Sequence, residues 1–225
     1  MRPRFLGELG VADVVTVGNA VAGFLATIVA FQDPALSARL ILVAAIADGL
    51  DGIIARARGG SAVGGYLDSL SDVASFGVAP AVFVYAVTTD GGFSTAMGVA
   101  AAAIPAVYVA AAVVRLGFYM QHDRKKPETA GVQTTLAATI LAVMYLAGIT
   151  APSILLGATG VLCYLMIASI SYPELYARDA VVLGGLQAAA IAFPTAFDRV
   201  FPRVLFAFAL GYLLLAPFLY WREVE

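Results

Sequence analysis

One cysteine and one histidine among 225 residues remove two kinds of chemistry at the outset. Cys163 stands alone in an apolar run, so no disulfide can form within the chain, and its side chain reads as a small buried hydrophobe. His122 falls in the polar run QHDRKKPE. With no second histidine to join it, a solvated side chain is expected there rather than a metal ligand. Charge is scarce as well: Asp, Glu, Lys and Arg make up 12% of the chain, against about a quarter in soluble domains. The net charge of −2 excludes a nucleic-acid partner held by bulk positive charge.

What fills the chain instead is hydrocarbon. Hydrophobic residues reach 61% and the mean hydropathy is +0.91. They arrive in blocks of about 17–25 residues, the length that crosses a bilayer core as a helix. In lipid every backbone N–H and C=O must be paired within its own segment. The expected fold is therefore an all-α integral membrane protein, a bundle of about eight transmembrane helices forming a single domain over residues 1–225. The expected spans are Val14–Phe31, Ala38–Ala57, Asp68–Val87, Phe93–Tyr119, Thr134–Ile149, Ser153–Ile170, Ala180–Phe197 and Arg203–Tyr220. Ahead of them, Pro3–Asp13 reads as a short helix on the membrane surface. The N-terminus lacks the layout of a cleaved signal peptide and is expected to remain in the mature protein.

Basic residues set the expected orientation. With the N-terminus in the cytoplasm, Arg2, Arg4, Arg56, Arg58, Arg115, Arg124, Lys125, Lys126, Arg178 and Arg222 fall inside. Only Arg39, Arg199 and Arg203 fall outside. An even number of crossings returns the C-terminus to the cytoplasm.

Against this background one stretch stands out, DGLDGIIARARGGSAVGGYLDSLSD from Asp48 to Asp72. Asp48 and Asp51 are three residues apart, about 60° around a helix, and Asp68 and Asp72 are four apart, about 40°. The glycine-rich segment between them favours a tight reversal. Two antiparallel helices would then bring both carboxylate pairs together near the cytoplasmic surface. Four negative charges in one pocket repel, and each loses hydration. Arg56 and Arg58 cannot neutralise the set alone. The expected counterion is a divalent metal, two ions rather than one, with oxygen-only ligands suited to magnesium, manganese or calcium. Such pairs of ions serve attack at phosphorus. Gly52 leaves room for a phosphate or base beside the helix, and Arg56 offers a fork of donors to phosphate oxygens.

These residues resemble the signature of the CDP-alcohol phosphotransferase family, which reads here as Asp48, Asp51-Gly52, Ala55-Arg56, Gly64, Asp68 and Asp72. The interval from Arg56 to Gly64 is one residue shorter than that family's usual, which leaves Gly64 or Gly65 for the second glycine. The resemblance implies a dimeric membrane enzyme that moves a phosphate-linked group from a CDP-activated donor to an alcohol. It implies that Asp48, Asp51, Asp68 and Asp72 bind two magnesium or manganese ions. Gly52, Ala55, Arg56 and Gly64 would hold the cytidine diphosphate, and Asp72 would act as general base. The continuation LDSLSDVASFGVAPA, the segment TVGNAVAG with Thr16, Asn19 and Gly23, and RLGFY at Arg115 are similar to a branch of the family that uses serine. The substrates implied are CDP-diacylglycerol or its ether counterpart CDP-archaeol, and L-serine. Asn19 then reaches the nucleotide or a metal, or serves a helix contact. Arg115 pairs with the serine carboxylate, or snorkels to the interface. Other acceptors, glycerol 3-phosphate or an inositol phosphate, would keep the same chemistry. A reading of another class is a divalent-cation transporter with the aspartates as its path, but the outer turns TTDGG and ITAPS carry almost no polar groups for one. The chain also lacks a convincing internal repeat, which weakens that reading.

Overall fold

Helices form where the apolar blocks predict them, with shifted ends. A computed structural model of the chain describes residues 8–89, 91–123, 128–173 and 177–219. Within them α1 spans Val11–Val29, α2 Pro34–Arg58, α3 Gly64–Thr88 and α4 Ala96–Phe118. The second half holds α5, Thr134–Leu146; α6, Pro152–Ile167; α7, Ala177–Ala192; and α8, Ala196–Leu219. The starts carry recognisable caps: Asp33 accepts the Leu36 N–H at 2.9 Å with Pro34 next to it, and Thr95 accepts the Gly98 N–H at 3.0 Å.

By length and composition α1, α3, α4 and α8 can cross a membrane, which marks an integral membrane protein. α5, α6 and α7 are apolar but shorter. The expected crossing Thr134–Ile149 is a 13-residue helix that ends at Leu146, about 20 Å long against a hydrocarbon core of about 30 Å. Its run from Ala137 to Met144 is buried without a break, so α5 is the central helix around which the others pack.

Three expectations change. Pro3–Asp13 is not a separate surface helix in its described part: Glu8–Gly10 is non-helical, and Val11 already begins α1. Residues 3–7 lie outside the described residues, as do Arg2, Arg4, Arg124, Lys125, Lys126 and Arg222 and the side chain of Arg178. The fold is also not wholly helical. Glu128–Ala130 (β1) pairs antiparallel with Ser171–Pro173 (β2), joining two connections expected as separate loops. Gly131 makes that junction possible: its φ is +75°, and a Cβ there would sit 2.2 Å from the Met166 carbonyl oxygen. Third, α3 begins at Gly64 rather than Asp68, which sets both of its aspartates inside a helix.

Two contacts fix where α3 runs. Gly23 on α1 meets Ser75 so closely that a Cβ would lie 2.6 Å from the Ser75 Cα. At that crossing Ser75 Oγ donates to the Asn19 carbonyl at 2.9 Å. Immediately after Asp72 the helix widens into a π segment, Val73–Val78, a distortion common beside functional sites. Pro80 has no N–H to offer the carbonyl four residues earlier. That carbonyl, on Phe76, instead accepts from Tyr108 Oη at 3.1 Å, within the buried core of Phe76, Phe83, Ile41 and Leu42.

The Gly23 crossing yields a stability prediction. Gly23→Ala is expected to destabilise the protein by roughly 1–3 kcal/mol, because the backbones must separate. Gly18→Ala, whose Cβ meets nothing within 4 Å, leaves the melting temperature in detergent unchanged or raised.

Candidate active site

The turn between α2 and α3 opens with Gly59 at φ +83°, a conformation natural to glycine at a helix end. Folding back through this turn brings aspartates of the two helices together. One carboxylate oxygen from each of Asp48, Asp68 and Asp72 lies within 4.8 Å of the other two. Asp72 is buried and the other two are half-buried. Thr135 Oγ1, at the start of α5, donates to Asp48 Oδ2 at 3.2 Å and orients that carboxylate. Asp72 Oδ1 is buried without a hydrogen-bond partner among the described residues.

The fourth aspartate stands apart from this group of three. Asp51 is buried and accepts a hydrogen bond from Thr16 Oγ1 of α1. It lines a neighbouring cavity of about 170 Å³ together with Gly52, Ala55, Gly64, Gly65 and Asp68. Asp68 therefore faces both places. Small residues leave this cavity its volume. The Arg56 guanidinium folds across Gly52, where an added Cβ would lie 3.5 Å from one of its nitrogens. Both candidate second glycines line the cavity, and the tight approach is at Gly64, where a Cβ would lie 3.0 Å from Asp13 Oδ1.

A larger cavity of about 500 Å³ opens beside the same aspartates, between α2, α5, α7 and α8. Its wall is mostly apolar, with Leu136, Leu183, Leu205 and Phe208, and Asp48 lies on it.

Asn19 is fully buried, and neither polar atom of its amide has a hydrogen-bond partner among the described residues. It sits one turn beyond Thr16, at the level where α1 crosses α3. Arg115 is buried rather than extended to the surface. It donates to Thr129 Oγ1 on β1 at 3.1 Å and lies 5.8 Å from the Tyr119 ring centre. It is close enough to Asp72 for the two charges to act on each other.

Three participants were missed in the sequence. Asp13 looked like an ordinary helix-start residue, and it does accept the Gly10 N–H, yet it also lines the small cavity. Thr135 was noted only for its segment, and Thr129 not at all. Neither spacing nor composition announces a threonine that reaches across from another helix or strand.

The family model described as CDP-alcohol phosphatidyltransferase matches residues 9–171. The archaetidylserine synthase of Methanothermobacter thermautotrophicus is 39% identical over 87 residues, 36% of this chain and 37% of that protein. The CDP-diacylglycerol–serine O-phosphatidyltransferase of Methanocaldococcus jannaschii is 45% identical over 76 residues, 33% of this chain and 35% of its own length. The protein of the same description from Mycobacterium leprae is 46% identical over 74 residues, 32% of this chain and 25% of its own. The chain thus aligns with about a third of the first two relatives and a quarter of the third.

Clustered carboxylates predict a cation-dependent stability. Metal-stripped protein should melt higher once magnesium or manganese is added, by the equivalent of about 2.7 kcal/mol at a hundredfold excess over Kd. Asp48→Asn and Asp72→Asn should each remove that shift. Asp33→Asn, at the exposed start of α2, should keep it.

Proposed function

The chain belongs to the CDP-alcohol phosphatidyltransferase family, and from that premise we propose that it transfers a phosphatidyl or archaetidyl group to the hydroxyl of L-serine. The donor is CDP-diacylglycerol or CDP-archaeol, and CMP is released. The observation that carries this reading is the group of three aspartate oxygens beside a cavity lined by glycine and alanine. The serine acceptor is supported by the names of the three relatives. Family membership weighs against the cation-transporter alternative.

Three carboxylate oxygens within 4.8 Å, one carboxylate having a buried oxygen without a partner, fit a divalent cation. Asp48, Asp68 and Asp72 would hold one magnesium or manganese ion, and Asp51 with Asp68 would hold a second on the cavity side. When bound, the ions hold phosphate oxygens and absorb the charge that develops at phosphorus.

The protein's own groups do the rest. Gly52, Ala55 and Gly64 clear the slot for the cytidine diphosphate, and Arg56 gives its fork of donors to the phosphates. Arg115, held by Thr129, receives the serine carboxylate. Asn19 supplies an amide to the nucleotide or to the aspartate group from below. Asp72 takes the proton of the serine hydroxyl as that oxygen attacks the phosphorus bearing the lipid. The bond from this phosphorus to the bridging oxygen breaks, and CMP leaves with the electron pair. Most of the catalytic effect is positioning and electrostatic stabilisation. The lipid tails occupy the apolar 500 Å³ cavity. Eight crossings, cytoplasmic termini, an active site facing the cytoplasm and a homodimer belong to the same reading. Its supports are the eight helices among the described residues, the bias of arginine in the sequence and the family resemblance.

Purified protein given a CDP-lipid, manganese and labelled serine should release CMP and form a serine phospholipid. Consumption of glycerol 3-phosphate or an inositol phosphate instead of serine would overturn the acceptor. Asp72→Asn should lower kcat by roughly 10²- to 10⁴-fold, the usual contribution of a general base, with CDP-lipid binding retained. Arg115→Lys should raise the KM for serine about tenfold or more, since an ammonium cannot replace the bidentate fork; an unchanged KM would remove Arg115 from the acceptor site.

A further inference from the structure

The two signature glycines of the small cavity face opposite charges. Gly52 lies under the Arg56 guanidinium, and Gly64 lies against Asp13 Oδ1. The cavity is thus positive at one glycine and negative at the other.

Asp13 is only 1% exposed. Its Oδ2 accepts the Gly10 N–H at 2.7 Å, which leaves Oδ1 aimed into the cavity with no hydrogen-bond donor on it among the described residues. It is also outside the aspartate group of Asp48, Asp68 and Asp72, and none of the described residues lining the cavity is basic. A desolvated carboxylate oxygen needs a donor. A diphosphate cannot supply one, because it is anionic and offers only acceptors, and it belongs at the Arg56 end. The part of a nucleotide that suits the Asp13 end carries N–H or O–H groups.

We infer that Asp13 reads the nucleobase of the activated donor, its Oδ1 accepting a hydrogen bond from the exocyclic amine of cytosine. This rests on the CDP-dependent reading given above. A carboxylate accepts from the N4 amine of cytosine, whereas uracil presents an acceptor, O4, at the same position. Asp13 therefore selects cytidine over uridine nucleotides by opposing one acceptor with another. Gly64 is required because any side chain there would enter the space between Asp13 and the base. The rejection of uracil is the sharper half of the inference, since a misplaced acceptor leaves two oxygens facing each other with water excluded.

Calorimetric titration of the purified protein with CMP, UMP and N4,N4-dimethyl-CMP, in the presence of magnesium, tests the assignment. Wild type is expected to prefer CMP over both analogues by about tenfold or more. Asp13→Asn keeps an oxygen for the Gly10 N–H and turns an amide N–H toward the cavity, so its preference should shrink or invert toward UMP. The dimethylated ligand needs no variant, and so it tests the inference even where Asp13→Asn fails to fold. Equal wild-type affinity for CMP and for both analogues overturns the inference and leaves the transferase reading standing. Parallel loss of CMP and UMP in Asp13→Asn moves Asp13 onto the ribose or the cation set and also overturns it. A wild-type protein that binds no cytidine nucleotide overturns both.

Discussion

Repulsion among three carboxylates is the constraint on which the rest of the molecule turns. Two unit charges 4.8 Å apart at an effective dielectric of 20 repel by about 3.5 kcal/mol, and three such pairs would oppose the packing of α2 against α3. The fold does not relieve this by spreading the groups. Thr135 holds Asp48 in place from α5, Thr16 holds Asp51 from α1, and Arg115 stands near Asp72. Those contacts aim the oxygens rather than separate them. Such an arrangement is stable when something positive is shared among the oxygens, which is the physical content of the proposed cation site.

Holding the group this tightly requires helices that cannot slide. The Gly23–Ser75 approach sets the separation of α1 and α3 one turn beyond Asp72. The π segment that follows rotates the remainder of α3 relative to its first turns, so the aspartate end and the core end can each face their own neighbours. Tyr108 then satisfies the carbonyl that Pro80 cannot. A proline that would loosen an isolated helix is thereby tied to α4, and the tie is buried. Precision at the aspartates therefore depends on residues that carry no charge.

The sequence made the helices legible because apolar blocks of spanning length have few other uses. It made the aspartates legible because intervals of three and four place side chains on one helix face. The separation of Asp51 from the other three was not legible. An interval gives the angle around one helix, but the rotation of α3 against α2 depends on packing at Gly23 and on a helix start at Gly64, one turn earlier than the apolar block implied. Arg115 could be read as buried or snorkelling because both uses suit an arginine near a helix end, and the contact that decided it comes from β1. That strand was invisible: three residues in a polar connection carry too little pattern to reveal a partner more than forty positions away. Asp13 was hidden by its ordinary use, since an acidic residue in a first turn needs no further explanation.

The two cavities and the aspartates fall in an order that has chemical meaning. Asp48 lines the large apolar cavity and Asp68 lines the small polar one, and both belong to the same group of three. The carboxylates thus occupy the seam between a hydrocarbon-lined space and a space lined by small residues with charge at its edges. A CDP-activated lipid has the same anatomy, with chains at one end, a nucleotide at the other and the reacting phosphorus between them. Under the proposed function neither end of the donor need change its environment for the reaction to occur. The apolar end stays among leucines and phenylalanine, the nucleotide stays between Arg56 and Asp13, and the bond to be broken falls by default at the carboxylates. Positioning of this kind needs no large motion of the protein, because the partition of an amphiphile between two unlike cavities already places its reactive centre.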